Sequence, residues 1–237
     1  MVHRILIVTA VAAEADSVSA GLGPGDPGRL PLPGGCTLRR HRDRVDVLVG
    51  GVGPAAVAAA TGTALTHGAL TGDPYGLVVS AGIAGGFQPA APVGSVVVSS
   101  AIVAADLGAE TPDGYLPVED LGFGRSAHAV PESVTAGITA ALAPGCVLAP
   151  VLTVSTVTGT ARRAAELVER HPTAAAEAME GFGVAEAAVA HGVPVVEIRA
   201  VSNAVGPRDR AAWRIGEALG ALRHTFELLG STVFVES

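Results

Sequence analysis

Glu177-Ala-Met-Glu-Gly-Phe-Gly-Val-Ala-Glu-Ala-Ala-Val-Ala-His-Gly-Val-Pro-Val-Val-Glu-Ile-Arg-Ala-Val-Ser-Asn203 is the stretch whose reading decides the fold. Its Met179-Glu180 pair heads an apolar helix, filled by small and apolar residues from Val184 to Ala190. Gly192 supplies a left-handed cap, and Pro194 blocks continuation. The β-branched run Val195 to Val201 then reads as a strand ending in Ser202-Asn203. Ligands of α/β sheets collect at the carboxyl ends of strands. Met179-Glu180 and Ser202-Asn203 are therefore expected to face one crevice.

Working outward, the same alternation recurs. Ile5 to Ala10 is a continuous apolar run, as in a strand covered on both faces, and Ala12 to Leu22 reads as a helix with Glu14 in its first turn. His3-Arg4 followed by Ile5 to Ala13 also resembles a short signal peptide. The run is short and leads straight into Glu14 and Asp16, which favours the buried strand. Residues 23–35 are rich in Gly and Pro and read as a loop. Strands at Thr37–Arg40 and Val45–Val49, joined by His41-Arg42-Asp43-Arg44, resemble a hairpin.

Gly50-Gly51-Val52-Gly53-Pro54 reads as a turn before a helix over Ala55 to Leu65. Leu77 to Ser80 is a buried strand running into the glycine-dense turn Ala81 to Phe87. Val93 to Val103 is a long strand, and residues 108–128 an irregular excursion. A helix over Pro131 to Leu142, a strand over Val147 to Val154, a turn over Val157 to Thr160 and a helix over Ala161 to His171 follow. A last helix runs to about Leu229. Strands alternate with helices throughout, which predicts an α/β fold with a largely parallel sheet. There is no internal repeat and no clear linker, so residues 1–237 are expected to form one domain.

Composition narrows the chemistry. Hydrophobic residues make up 49% of the chain and aromatics only 3%, so the core is built from Ala, Val, Leu and Ile. The net charge of -7, with no long basic run, disfavours nucleic acid as a partner. No apolar run approaches the ~20 residues of a membrane span. The chain contains no lysine, which excludes a lysine Schiff base and a P-loop lysine. Cys36 and Cys146 have no metal-ligand spacing and are too few for a disulfide framework, so a reducing, cytoplasmic setting is expected. No metal or cofactor is expected.

Taken singly, the candidate site residues each have an ordinary alternative. Gly82, Ile83, Gly85 and Phe87 belong to a segment that lets a ligand approach the backbone, or simply connects strands tightly. Glu14 and Glu180 could serve only as carboxylates at helix starts. Asn203 could be a turn residue.

Taken together they are more specific. The segments Val8 to Glu14, Ser80 to Gly86, Val93 to Ser99, Met179-Glu180 and Arg199 to Asn203 resemble the nucleoside phosphorylase and nucleosidase superfamily across nearly the whole chain. Within it, Met179-Glu180-Gly181-Phe182-Gly183 and Ser202 to Arg210 resemble the futalosine hydrolase branch, which serves a menaquinone pathway. The resemblance implies a three-layer fold with a central mixed, largely parallel twisted sheet flanked by helices. It implies hydrolysis of a purine nucleoside, with hypoxanthine released from futalosine, and a homo-oligomer. It also implies roles: Glu14 activates water as general base, Glu180 holds the ribose hydroxyls, and Met179 packs on the sugar. Gly85 and the Val157-Thr158 turn lie near the base, and Asn203 addresses the purine five-membered ring. Phe182 belongs to the same motif.

Two departures bear on substrate. Asn203 stands where adenine-directed relatives carry Asp, and an amide that donates hydrogen bonds suits a 6-oxopurine. Ile83 stands where that branch has Ser. A carboxylate at the substrate's far end could be clamped bidentately by Arg208, Arg210, Arg214 or Arg162. Trp213 could line that pocket or pack the last helix. A phosphorylase would need a phosphate cradle. No arginine is expected near Ser80, and Gly25-Asp26-Pro27-Gly28-Arg29 falls beyond the first helix, so hydrolysis is expected over phosphorolysis. The rival of a different class is a non-catalytic nucleoside-binding protein on the same fold. The presence of both Glu14 and Glu180 argues against it.

Overall fold

A computed structural model of the chain describes residues 4–41 and 44–236. It opens with β1 (Arg4–Thr9), α1 (Ala12–Gly21), β2 (Gly28–Pro31), β3 (Thr37–Arg40), β4 (Val45–Val49) and α2 (Pro54–Leu70). The middle holds β5 (Tyr75–Gly86), β6 (Val96–Ala104), β7 (Gly108–Thr111), β8 (Gly114–Pro117), β9 (Ala127–Ala129) and α3 (Glu132–Leu142). The last part holds β10 (Cys146–Thr153), α4 (Ala161–Arg170), β11 (Ala176–Ala178), α5 (Gly181–Ala190), β12 (Val195–Ala204), α6 (Ile215–Gly230) and α7 (Val233–Glu236).

The first apolar run is a central strand: β1 lies parallel between β4 and β5. Leu6 and Ile7 are wholly buried because both faces of the sheet are covered. His3, part of the alternative signal reading, lies outside the described residues, as do Arg42 and Asp43 of the expected hairpin turn. The hairpin strands themselves pair antiparallel as expected.

Ten of the described strands join in one mixed sheet, in the order β11-β10-β6-β12-β5-β1-β4-β3-β2, with β9 on β6. β11 also pairs with β5. That pairing closes β5, β11, β10, β6 and β12 into a ring, from which β1, β4, β3 and β2 continue as an open wing. The inner pairings β1–β4, β1–β5, β5–β12, β6–β10 and β10–β11 are parallel. The ring-closing pairings β5–β11 and β6–β12 are antiparallel. Helices flank the sheet: α1 and α3 pack on α6, and α2 packs on α5. Close approach there needs small residues. A Cβ on Gly183 of α5 would collide with the backbone of Pro54 at the start of α2. No helix among the described residues is long and apolar enough to cross a membrane.

Several expectations change. Ala81 to Gly86 is the second half of β5, not a turn, since it is laddered to β12 on one edge and β11 on the other. Its glycines keep ordinary backbone angles and supply space instead. A Cβ on Gly86 would meet the Ala91 carbonyl, and one on Gly85 would lie 2.9 Å from Val205 Cγ2. The 23–35 loop contains β2, an edge strand on β3. The excursion over 108–128 contains the β7–β8 hairpin and the start of β9. Gly192 does take the left-handed conformation expected of it, at φ 68°.

Candidate active site

The centre of the site is Arg199 of β12, 1% exposed. A buried guanidinium requires partners for its charge and its donors. Its Nε donates to Glu197 Oε1 at 2.7 Å, and its Nη2 lies 3.4 Å from Glu180 Oε2. It also donates to Ser80 Oγ at 3.3 Å and to the Ile83 carbonyl at 3.4 Å. Burial works against its charge, but Glu197, Glu180 and Glu14 together outweigh that and raise its pKa. Burial likewise pushes the Glu197 carboxyl up against the pull of Arg199, and Glu197 Oε2 has no hydrogen-bond partner among the described residues.

Glu14 is held from the other side. It is the third residue of α1, where a carboxylate meets free backbone donors and the positive end of the helix dipole. Its Oε2 accepts from Ala10 N at 3.0 Å and Val11 N at 3.3 Å, and its Oε1 accepts from Ile83 N at 2.9 Å. A Cβ on Gly82 would lie 2.5 Å from Glu14 Oε1 and 2.6 Å from Arg199 Nη1. Gly82 is therefore the space in which the two groups converge. Glu180, at the N-terminus of α5, accepts from Gly53 N at 3.2 Å. Gly53 presents that N–H from a left-handed conformation at φ 90°.

A small cleft opens farther along β5, lined by Gly85, Val157, Thr158, Glu177, Asn203, Arg208 and Trp213 among others. A bulge at Ser202 shifts the register of β12 against β5, from Val201↔Ala84 to Asn203↔Gly85. Bulges re-aim side chains, and here Asn203 follows it. Ser202 Oγ lies within hydrogen-bond distance of Asn203 Oδ1 at 2.8 Å, and Asn203 Nδ2 donates to the Ala204 carbonyl at 3.0 Å. One amide hydrogen of Asn203 is left for a ligand.

The expected residues thus fall into two groups on one strand. Glu14, Gly82, Ile83 and Glu180 gather around Arg199, while Gly85, Val157, Thr158, Asn203 and Arg208 surround the cleft. Met179 is half-buried between β11 and α5. Two aromatics turn away: Phe182 stacks on His128 at 5.2 Å between ring centroids, and Phe87 is buried with Val103, Leu152 and Leu167. Of the four candidate arginines, Arg208 alone lines the cleft, and both Arg208 and Arg210 lie over Trp213. Arg162 pairs with Glu166 and Arg214 with Glu217. The expectation that no arginine comes near Ser80 is corrected by Arg199, brought there from 119 residues away. Arg199, Glu197 and Glu177 were not singled out from the sequence. A lone charge pair inside a β-branched run, Glu197-Ile198-Arg199, is the signal that could have found the first two.

Replacing Arg199 by Met is expected to cost about 3–5 kcal/mol of stability at neutral pH, the scale of breaking a buried ion pair. Glu197, whose carboxyl burial already pushes up, then loses the opposing pull of Arg199, so its folded state holds a proton more tightly than its unfolded state does. Stability of the variant then falls as pH rises from the unfolded pKa of Glu197 through the folded one. Urea unfolding at pH 5 and pH 8 checks this: the penalty relative to wild type should be larger at pH 8.

The chain matches the model of the Phosphorylase superfamily over residues 4–228. It is 63% identical over 220 residues to futalosine hydrolase of Streptomyces coelicolor, covering 92% of each chain. It is 49% identical over 231 residues to futalosine hydrolase of Acidothermus cellulolyticus, covering 95% of this chain and 90% of that one. Among solved structures, the futalosine hydrolase of Helicobacter pylori superposes with a TM-score of 0.79 at 18% identity, over 97% of both chains. A methylthioadenosine/S-adenosylhomocysteine nucleosidase of Colwellia psychrerythraea in complex with adenine does so with a TM-score of 0.79 at 22% identity, over 98% of this chain and 97% of that one. The family model spans every site residue from Glu14 to Arg208, and the two curated relatives match over more than nine tenths of this chain: the chain belongs to the futalosine hydrolase family of the phosphorylase superfamily.

Proposed function

We propose that this chain is a purine nucleosidase that hydrolyses the N-glycosidic bond of futalosine and releases hypoxanthine. The observation that carries it is the placement of Glu14. Three backbone N–H groups fix its carboxylate as an acceptor, beside Arg199 and one strand segment from the cleft of Gly85 and Asn203. In this reading the base occupies the cleft and the sugar lies toward Glu180 and Met179. The C1′–N9 bond breaks with its electron pair going to the base, and positive charge spreads over the ribosyl ring. Glu14 takes a proton from water as the water oxygen bonds C1′. Asn203 donates a hydrogen bond to the edge of the departing base on which negative charge builds, and the base then takes up a proton from solvent, which balances the one passed to Glu14.

Hydrolysis is favoured over phosphorolysis on electrostatic grounds. Arg199 stands beside Glu14, yet it is buried and its charge is committed to Glu180 and Glu197. Arg29 of the Gly25 to Arg29 turn lies on β2, at the far edge of the sheet from β5. The same reading takes residues 1–237 as one domain that acts in the cytoplasm, in menaquinone biosynthesis and without a cofactor. Val11 and Val52, exposed beside Glu14 and Gly53, support a homo-oligomer with a face near this site.

Three outcomes are expected. Incubated with futalosine, the purified protein should release hypoxanthine and free ribosyl product at a rate independent of phosphate. A sugar 1-phosphate as main product, seen by mass spectrometry, would overturn hydrolysis. Glu14→Gln should fold and bind substrate while losing about 10²-fold or more in kcat; near-normal turnover removes Glu14 from the role of base. Asn203→Asp should lower the hypoxanthine rate and raise the relative rate of adenine release from the 6-amino analogue, because a protonated Asp donates to N7 while its other oxygen accepts from the amino group. The ratio of kcat/KM for the two substrates measures this, and an unmoved ratio means that Asn203 does not read the base.

A further inference from the structure

We infer that Glu177 reads the N1–H edge of a 6-oxopurine, so that Glu177 and Asn203 select the base from opposite sides of Gly85. This rests on the nucleosidase reading above, but it is carried by a different observation. Strand β5 is paired at Gly85 on both edges, by Glu177 of β11 and by Asn203 of β12. Residues paired across a ladder share a face of the sheet. Glu177 and Asn203 therefore stand on one face, two strand spacings or roughly 10 Å apart, with no side chain between them. A Cβ on Gly85 would lie 3.3 Å from Asn203 Nδ2, so the amide leans over the bare backbone. Both side chains line the same cleft. The result is a flat floor with a carboxylate at one side and an amide at the other, which is the shape of a site for a planar heterocycle with polar edges.

The state of Glu177 sets the polarity of its edge. It is 5% exposed, yet among the described residues no cation pairs with it at salt-bridge distance. Thr158 holds it from one side: Oε1 accepts from Thr158 N at 2.8 Å and Oε2 from Thr158 Oγ1 at 2.5 Å. Each carboxylate oxygen retains further acceptor capacity. Burial pushes its carboxyl up, while the two Thr158 bonds and Arg163 pull it back. A donor arriving from the cleft would add to that pull and satisfy the remaining acceptor capacity. A 6-oxopurine brings such a donor at N1. A 6-aminopurine brings an unprotonated N1, and the two acceptors would meet in a buried site at a cost. The Thr158 N–H cannot relieve the mismatch, since it is already spent on Glu177.

The test compares 6-oxo and 6-amino nucleosides that are otherwise identical, in wild type and Glu177→Gln. The glutamine keeps the shape but can turn an N–H toward N1. The hypoxanthine-to-adenine ratio of kcat/KM should therefore fall by about 10²-fold, within the range that hydrogen-bonding sites discriminate. Calorimetric binding of free hypoxanthine and adenine to both proteins should move in the same direction. If Glu177 only anchors Thr158, both substrates weaken together and the ratio stays put, which would overturn the inference. Should the variant not fold, wild type with 1-methylhypoxanthine decides the matter. Binding as tight as that of hypoxanthine overturns the assignment, and a large loss upholds it. A wild type that binds the bases selectively but releases none refutes the nucleosidase reading and leaves the base-reading role of Glu177 standing.

Discussion

One buried cation organises this molecule. Arg199 sits in the middle of the sheet with its guanidinium out of water, where an unpaired charge would cost far more than the whole fold is worth. Its partners come from different parts of the chain: Glu197 from its own strand, Glu180 from the start of α5, Ser80 and the Ile83 carbonyl from β5. Glu14 adds to its field from α1. Satisfying one side chain thus ties two helices and two strands into a fixed relation. Such a network specifies a geometry more than it adds stability, because the desolvation of each charge offsets much of the attraction. Arg199 holds Glu180 and Glu197 directly, and Glu14 stands beside it on backbone donors of its own.

The second constraint is closure of the ring. A sheet edge left open at β5 would present unpaired backbone groups beside the cleft. β11 is only three residues long, yet it caps that edge and delivers Glu177 opposite Asn203. The bulge at Ser202 performs the matching adjustment on the other edge. Because both side chains ride on laddered strands rather than on loops, their separation is set by strand spacing. The glycines of β5 complete the arrangement. Gly82 makes room for Glu14 and Arg199, Gly85 for the cleft, and Gly86 for the chain at Ala91.

Much of this was legible in the sequence. The β-branched runs of β1 and β12 announced buried strands, and Gly192 with Pro194 marked the boundary between α5 and β12. What failed did so for physical reasons. Glycine signals both a tight turn and a close approach of neighbouring groups, and in β5 only the second operates. A three-residue strand such as β11 is too short for any periodicity to show. Glu177 could not be placed because its meaning lies in a pairing to a residue 92 positions earlier. Phe182 and Phe87 were expected at the substrate since they adjoin motif residues. On a helix start or a strand end, though, the next side chain points elsewhere, and both turn into apolar clusters. Arg199 was visible as one letter of a matching segment, but its burial follows from the covered centre of the sheet, which no local pattern reports.

Charge accounting links these features to the chemistry. Four carboxylates, Glu14, Glu177, Glu180 and Glu197, are buried in or beside the site. Arg199 is the cation buried among them. A phosphate dianion entering that field would add negative charge to a low-dielectric region that already holds an excess of it. Water enters without that penalty. The same field favours positive charge on a ribosyl ring as its bond to the base stretches, and that charge is greatest near the transition state. In the proposed reading, an excess of carboxylate around one arginine is costly to build but suited to its use: it would discourage an anionic nucleophile, tolerate a neutral one, and stabilise a cationic sugar forming between them.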